Sequence, residues 1–149
     1  MYRILIVEDD RTNRLFYEKL PVWQQEGFVI GGQAENGKKA LEQMETEQFD
    51  AFFVDVMMPV MNGLEFLQEL KNRGITAPRI IISNYNEFAY VRQGMKLGAM
   101  DYLLKPVTEE ELQECLRTVR EELDAEKEQS VEEQIFFAVR TFIPVLCRN

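Results

Sequence analysis

The sequence predicts an α/β fold, a doubly wound parallel sheet of five strands with helices on both faces and a C-terminal helical tail. Short apolar runs alternate with longer stretches of helical period, which is the rhythm of repeated strand-helix units. The runs are continuous rather than alternating, so the strands are covered on both faces, as in a parallel sheet. At 149 residues the chain suits one compact domain with a short appendage.

The elements follow in order. Ile4 to Val7 forms the first strand, and Asp9 or Asp10 caps the helix after it. Phe28 to Ile30 is the second strand, and Asn36-Gly37 opens a helix through Leu41 and Met44. Ala51 to Val54 is the third, and Asn62 with Glu65 opens a helix through Leu64, Leu67 and Leu70. Ile80 to Ile82 is the fourth, followed by a helix that contains Gly94, where glycine costs about 1 kcal/mol relative to alanine. Gly94 is therefore expected to loosen that helix. Tyr102 to Leu104 is the fifth strand, and a capping box of Thr108 and Glu111 starts a helix whose apolar face carries Leu112, Cys115, Leu116, Val119 and Leu123. Right-handed crossovers then place helices on both faces of the sheet. In the tail, Ser130 with Glu133 is expected to cap a further helix that Pro144 ends or bends.

Composition narrows the function. The 26 acidic against 17 basic side chains leave a net charge of −9, which repels phosphate backbones and argues against direct nucleic-acid binding by this chain. No apolar run is long enough to span a membrane and no signal peptide is evident, so a cytoplasmic location is expected. Cys115 and Cys147 lack paired spacing, which argues against a disulfide framework or zinc site. Histidine is absent, leaving carboxylates, hydroxyls and lysines for any chemistry.

In an open parallel sheet, ligands gather at the carboxyl ends of the strands. Those ends carry Glu8, Asp9 and Asp10, then Asp55, Ser83 and Lys105. Each has an ordinary reading alone, as a cap, a strand end or a surface charge. Together they make one rim. Clustered carboxylates must take up protons or bind a cation, and oxygen ligands with open positions suit Mg²⁺. A carboxylate beside that ion is a nucleophile toward a phosphoryl group, with a lysine and a hydroxyl offsetting charge on the phosphoryl oxygens.

The segments "VEDD", "VDVMMPVMNG", Ser83 after "III", and "DYLLKP" resemble the receiver domain of two-component response regulators, with Ser83 standing 28 and Lys105 standing 50 residues after Asp55. "EGFVIGGQAENGKKALE" and "SNYNEFAYVRQGMKLGAMDYLLKPV" look most like the receivers of YesN-like regulators with AraC-type DNA-binding domains. The resemblance implies a flavodoxin-like, CheY-like fold with strand order 2-1-3-4-5. It implies that Asp55 is the phosphoacceptor and that Glu8, Asp9, Asp55 and the backbone carbonyl of Met57 hold Mg²⁺, Glu8 through water. Asp10 falls outside that acidic pair. Ser83 is the switch hydroxyl, Tyr102 the switch aromatic, Lys105 the phosphate-binding lysine, and the Lys105-Pro106 bond is cis. Asn84 follows Ser83 where many relatives carry a small residue. Met57 and Tyr85 flank the phosphoryl group, and their bulk implies slow hydrolysis.

On this reading the chain is a phosphoacceptor switch rather than an enzyme acting on other substrates. Its partner is a histidine kinase, and phosphorylation shifts the face made by the fourth helix, fifth strand and fifth helix. Residues 1–122 form the receiver, and 123–149 form a linker or helical tail. The DNA-binding output domain through which transcription would be controlled is expected to lie outside this chain. That face, or the tail with Ile135, Phe136, Phe137, Phe142 and Ile143, is expected to support a homodimer, unless the tail packs back on the domain or serves only as a linker. Two rival readings are an aspartate-nucleophile phosphatase, disfavoured because Met57 stands where a second acid belongs, and an unphosphorylated docking module, which failure to bind Mg²⁺ would favour.

Overall fold

The computed structural model describes residues 1–146, with side chains through Thr141. Five parallel strands, β1 (Tyr2–Val7), β2 (Phe28–Ala34), β3 (Ala51–Val54), β4 (Arg79–Ser83) and β5 (Asp101–Leu104), lie in the order β2-β1-β3-β4-β5. The helices are α1 (Arg11–Lys19), α2 (Val22–Gln25), α3 (Gly37–Met44), α4 (Gly63–Asn72), α5 (Phe88–Lys96) and α6 (Glu109–Leu146). This is the flavodoxin-like, doubly wound arrangement.

The continuous apolar runs are explained by two cores, one on each face of the sheet. Alternate side chains point to opposite faces of a strand. Ile4 and Ile6, Phe53, and Ile80 and Ile82 pack with Tyr17, Trp23, Leu112, Leu116 and Val119 from α1, α2 and α6. Leu5 and Val7, Phe52 and Val54, and Ile81 pack with Leu41, Phe66, Leu67, Leu70 and Leu97 on the α3, α4 and α5 side. Burying both faces demands apolar residues at every position.

Local chemistry starts the helices as the sequence indicates. Asp10 caps α1, accepting from the Thr12 amide at 2.8 Å, and Asn36 caps α3, accepting from the Lys39 amide at 2.9 Å. Asn62 and Glu65 form a reciprocal capping box at α4, and Thr108 with Glu111 does the same at the start of α6.

Three features depart from expectation. β2 continues through Gly31 and Gly32 to Ala34, with a register irregularity opposite Ile4 and Leu5. An edge strand tolerates such glycines where it bends. The short α2 was not foreseen; Trp23 anchors it, donating from its indole nitrogen to the Tyr17 carbonyl at 2.7 Å and meeting Phe53 edge-on at 5.1 Å. The largest correction is α6. Ser130 starts no new helix, because the chain continues helically from Glu109 to Leu146, and Pro144 does not stop it before Leu146. A local cap signal yields where the preceding turn already supplies the backbone partners. The side chains of Phe142 and Ile143, and Cys147 altogether, lie outside the described residues.

Gly94 has a steric reason. A Cβ there would come within 2.5 Å of Ile81 Cδ1, so glycine lets α5 lie close against β4. Close packing is a reason for this glycine besides the loosening expected of it.

Candidate functional site

The sheet fixes the rim by extending its hydrogen bonding one residue past the strands. The Glu8 amide donates to the Ala34 carbonyl at 2.9 Å, the Asp55 amide to Val7 at 2.9 Å, and the Lys105 amide to Ser83 at 2.8 Å. Three candidate site side chains thus leave the same sheet edge from hydrogen-bonded backbone.

Asp55 is further held from the next helix. Gly63 packs so closely on it that a Cβ would stand 2.1 Å from the Asp55 carbonyl oxygen, and the Gly63 amide donates to Val56 at 2.8 Å. Only glycine allows that approach. Between them Val60 takes a left-handed φ of 69°, with the Met61 amide donating across it to Pro59 at 2.8 Å. A β-branched residue is strained in that region. Such strain tends to sit at functional sites.

Lys105 bridges two acids. Its Nζ donates to Glu8 Oε1 at 2.6 Å and to Asp55 Oδ2 at 2.9 Å. Glu8 Oε1 also accepts from Asn13 Nδ2 at 2.7 Å, and Asp55 Oδ1 accepts from the Met57 amide at 3.3 Å. Glu8 Oε2 is buried and has no partner, alone in this respect among the described residues. Burial first, and then the neighbouring Asp55 carboxyl, pushes Glu8 up to about 7, against the opposing pull of Lys105. Burial opposes the charge on Lys105, but its bonds to Glu8 and Asp55 outweigh that and raise its pKa above the usual lysine value.

Asp9 is exposed, yet one oxygen from each of Glu8, Asp9 and Asp55 lies within 4.8 Å of the others. Three carboxylates face one ammonium there. That charge imbalance and the orphaned Glu8 oxygen fit a hard divalent cation with oxygen ligands. Arg14 steadies the loop, donating to the carbonyls of Glu8 at 2.7 Å and Asp9 at 3.0 Å.

Ser83 ends β4 at the same edge and is fully buried, but its Oγ accepts from the Tyr85 amide at 3.1 Å rather than bonding Asp55. The half-buried Tyr102 donates its hydroxyl to the Tyr85 carbonyl at 2.5 Å, and Tyr85 meets Tyr90 edge-on at 5.9 Å. Met57 and Tyr85 are partly exposed at the mouth of the site. The Lys105-Pro106 peptide bond is cis. The structure therefore joins Glu8, Asp55 and Lys105 directly, sets Asp9 beside them, and leaves Ser83 and Tyr102 tied to the loop after β4. Asn13, Arg14 and the close approach of Gly63 are contributors that sequence reasoning missed. The glycine after Asn62 was a visible signal, but it read as a turn.

The comparisons agree with this geometry. The family model for the response regulator receiver domain matches residues 4–117. The chain is 32% identical over 123 residues to the transcriptional regulatory protein YesN of Bacillus subtilis, covering 83% of this chain and 33% of YesN. It is 38% identical over 112 residues to the transcriptional regulatory protein YdfI of the same organism, covering 75% of this chain and 52% of YdfI. It thus spans about a third to a half of these curated relatives. Among solved structures, the REC domain of AraT, a response regulator from Geobacillus stearothermophilus, superposes with a TM-score of 0.77 at 31% identity, covering 85% of this chain and 98% of that one. The acid rim at the edge of a 2-1-3-4-5 sheet, the family match over most of the chain and these likenesses have one reading: the chain belongs to the receiver domain family of two-component response regulators.

Proposed function

We propose that Asp55 accepts a phosphoryl group from a histidine kinase and that residues 1–122 form the switch which responds. The observation that carries this reading is the Glu8-Lys105-Asp55 bridge with its orphaned carboxylate oxygen. It supplies a carboxylate acceptor, a cation for phosphoryl oxygens and a place for a metal.

Glu8, Asp9, Asp55 and the Met57 carbonyl would hold Mg²⁺, Glu8 through water. When bound, the ion neutralises charge on the transferring phosphoryl group. The Asp55 carboxylate attacks phosphorus; a P–O bond forms as the P–N bond to the kinase imidazole breaks, and the imidazole leaves with the bonding pair and takes up a proton. Lys105 turns its ammonium from the carboxylates to the phosphoryl oxygens, and Ser83 exchanges the Tyr85 amide for one of them. Because the Tyr85 amide and carbonyl hold Ser83 and Tyr102 respectively, moving Ser83 disturbs the Tyr102 contact. That shift reaches the face of α5, β5 and α6. The reaction is self-modification with slow reversal, not turnover of a separate substrate.

The readout is transcriptional, through an output domain, as the names of YesN and YdfI suggest. A cytoplasmic setting accords with a kinase partner; among the described residues no helix is long and apolar enough to cross a membrane. Intact-mass measurement after acetyl phosphate and Mg²⁺ tests the first step. One added phosphoryl group, absent in Asp55→Asn and without Mg²⁺, supports it. An unmodified, folded protein rejects it.

A further inference from the structure

We infer that the distal half of α6 is a parallel, in-register coiled-coil seam that pairs two copies of this chain. The proximal half packs on its own domain through Leu112, Leu116, Val119 and Leu123. From Asp124 to Thr141 every residue is exposed, including Val131, Ile135, Phe136, Phe137 and Val139. At 3.6 residues per turn, the line through Val131, Ile135 and Ala138 stands roughly a quarter of a turn from the face that meets the domain. The helix is unbroken, so its own domain does not cover this line.

The occupant follows from spacing and charge. Val131, Ile135 and Ala138 recur at intervals of four and three, the period of a supercoiled pair, and Phe142 and Val145 continue the same spacing in the sequence. In a parallel, in-register pair, Lys127 flanks the seam opposite the partner subunit's Glu132, a complementary contact made twice by symmetry. Upstream, the seam positions are acidic at Asp124 and Glu128. Like charges facing across a seam repel, so pairing begins at Val131 and the receiver domains stay apart. Off the seam, Arg140 stands over the exposed Phe136, its guanidinium 5.6 Å from the ring centre. So short a seam makes a weak dimer.

This pairing goes beyond the phosphorylation reading and does not need it, so Asp55→Asn is a control that must still dimerise. Sedimentation equilibrium of the full chain from about 10 µM to about 1 mM is expected to show monomer giving way to dimer. Ile135→Glu, on an exposed position, should raise the dissociation constant about tenfold or more with an unchanged circular dichroism spectrum. Lys127→Glu should weaken pairing, and adding Glu132→Lys should restore it. In a Cys147→Ser background, Ala138→Cys should oxidise to a disulfide-linked dimer, since facing seam positions in a parallel pair are within disulfide reach. Monomer throughout, a dimer indifferent to Ile135→Glu, or a dimer that Ala138→Cys does not cross-link would each overturn the proposal.

Discussion

Two buried glutamates in this molecule meet opposite fates. Glu8 is 2% exposed and Glu26 is 5% exposed. At Glu26, just after α2, both carboxylate oxygens are engaged: Gln113 Nε2 donates to Oε1 at 3.0 Å, Arg117 Nε to Oε1 at 3.3 Å, and Arg120 Nη1 to Oε2 at 3.1 Å. The Gln113 bond foremost, then the charges of Arg117 and Arg120 against an opposing desolvation, lower its pKa. Glu8 shares one lysine with Asp55, keeps one oxygen without a partner, and is raised to about 7. The backbone repeats the contrast. The left-handed residue after Glu26 is Gly27, with φ of 90°, whereas the one after Asp55 is Val60. The clamp between α2 and α6 is satisfied and serves structure; the rim is held in conflict, which the proposed cation would relieve.

Asp55→Asn should break the comparison most completely. It abolishes phosphorylation in intact-mass measurements, and by removing a carboxyl neighbour it brings Glu8 down toward the ordinary glutamate value, readable by carbon-13 NMR of that side chain.

Glu8→Gln should lower Mg²⁺ affinity by about 10- to 100-fold in a fluorescence or calorimetric titration. It should also flatten the pH dependence of stability. Because the folded pKa of Glu8 is raised from 4.5 to about 7, its contribution is fully present below about 4.5 and is lost as pH rises through about 7. The wild-type protein without metal should lose up to about 3 kcal/mol from this source, measured by urea unfolding across pH. Glu26 has the opposite sign: its contribution is present above its unfolded value and is lost as pH falls through its lowered one. Glu26→Gln should lower Tm by a few degrees while leaving phosphorylation yield unchanged.

Smaller effects sharpen the picture at the mouth of the rim. Tyr85→Ala should speed hydrolysis of the aspartyl phosphate several-fold by admitting water, seen as faster loss of the added mass. A wild-type lifetime of seconds would contradict the role given to Met57 and Tyr85. Val60→Gly should stabilise the fold by about 1 kcal/mol in urea unfolding, as removal of a left-handed β-branched residue predicts.

Much of the fold was legible because two-sided burial writes itself as unbroken apolar runs, and the ends of those runs are where Glu8, Asp55, Ser83 and Lys105 interrupt them. What escaped depended on distant geometry. Asn13 shows only as a polar residue in α1 until the sheet brings Glu8 against it. Gly63 reads as a turn until the Asp55 carbonyl stands where its Cβ would be. Gly94 reads as a weak helix position, and only the structure shows Ile81 of a neighbouring strand standing where its Cβ would be. α2 is too short to show a period, and Ser130 carries a cap signal that an established helix overrides.

α6 is a lever. Its inner arm, gripped by Glu26 and by the Tyr2 hydroxyl on Asp124, forms one side of the face proposed to move on phosphorylation. The outer arm, beyond Leu123, reaches roughly 35 Å at 1.5 Å per residue. A tilt of a few degrees at the grip is amplified to several ångströms at the far end, so a rearrangement small enough to spare the hydrophobic core gains the reach to reposition whatever rides on that arm.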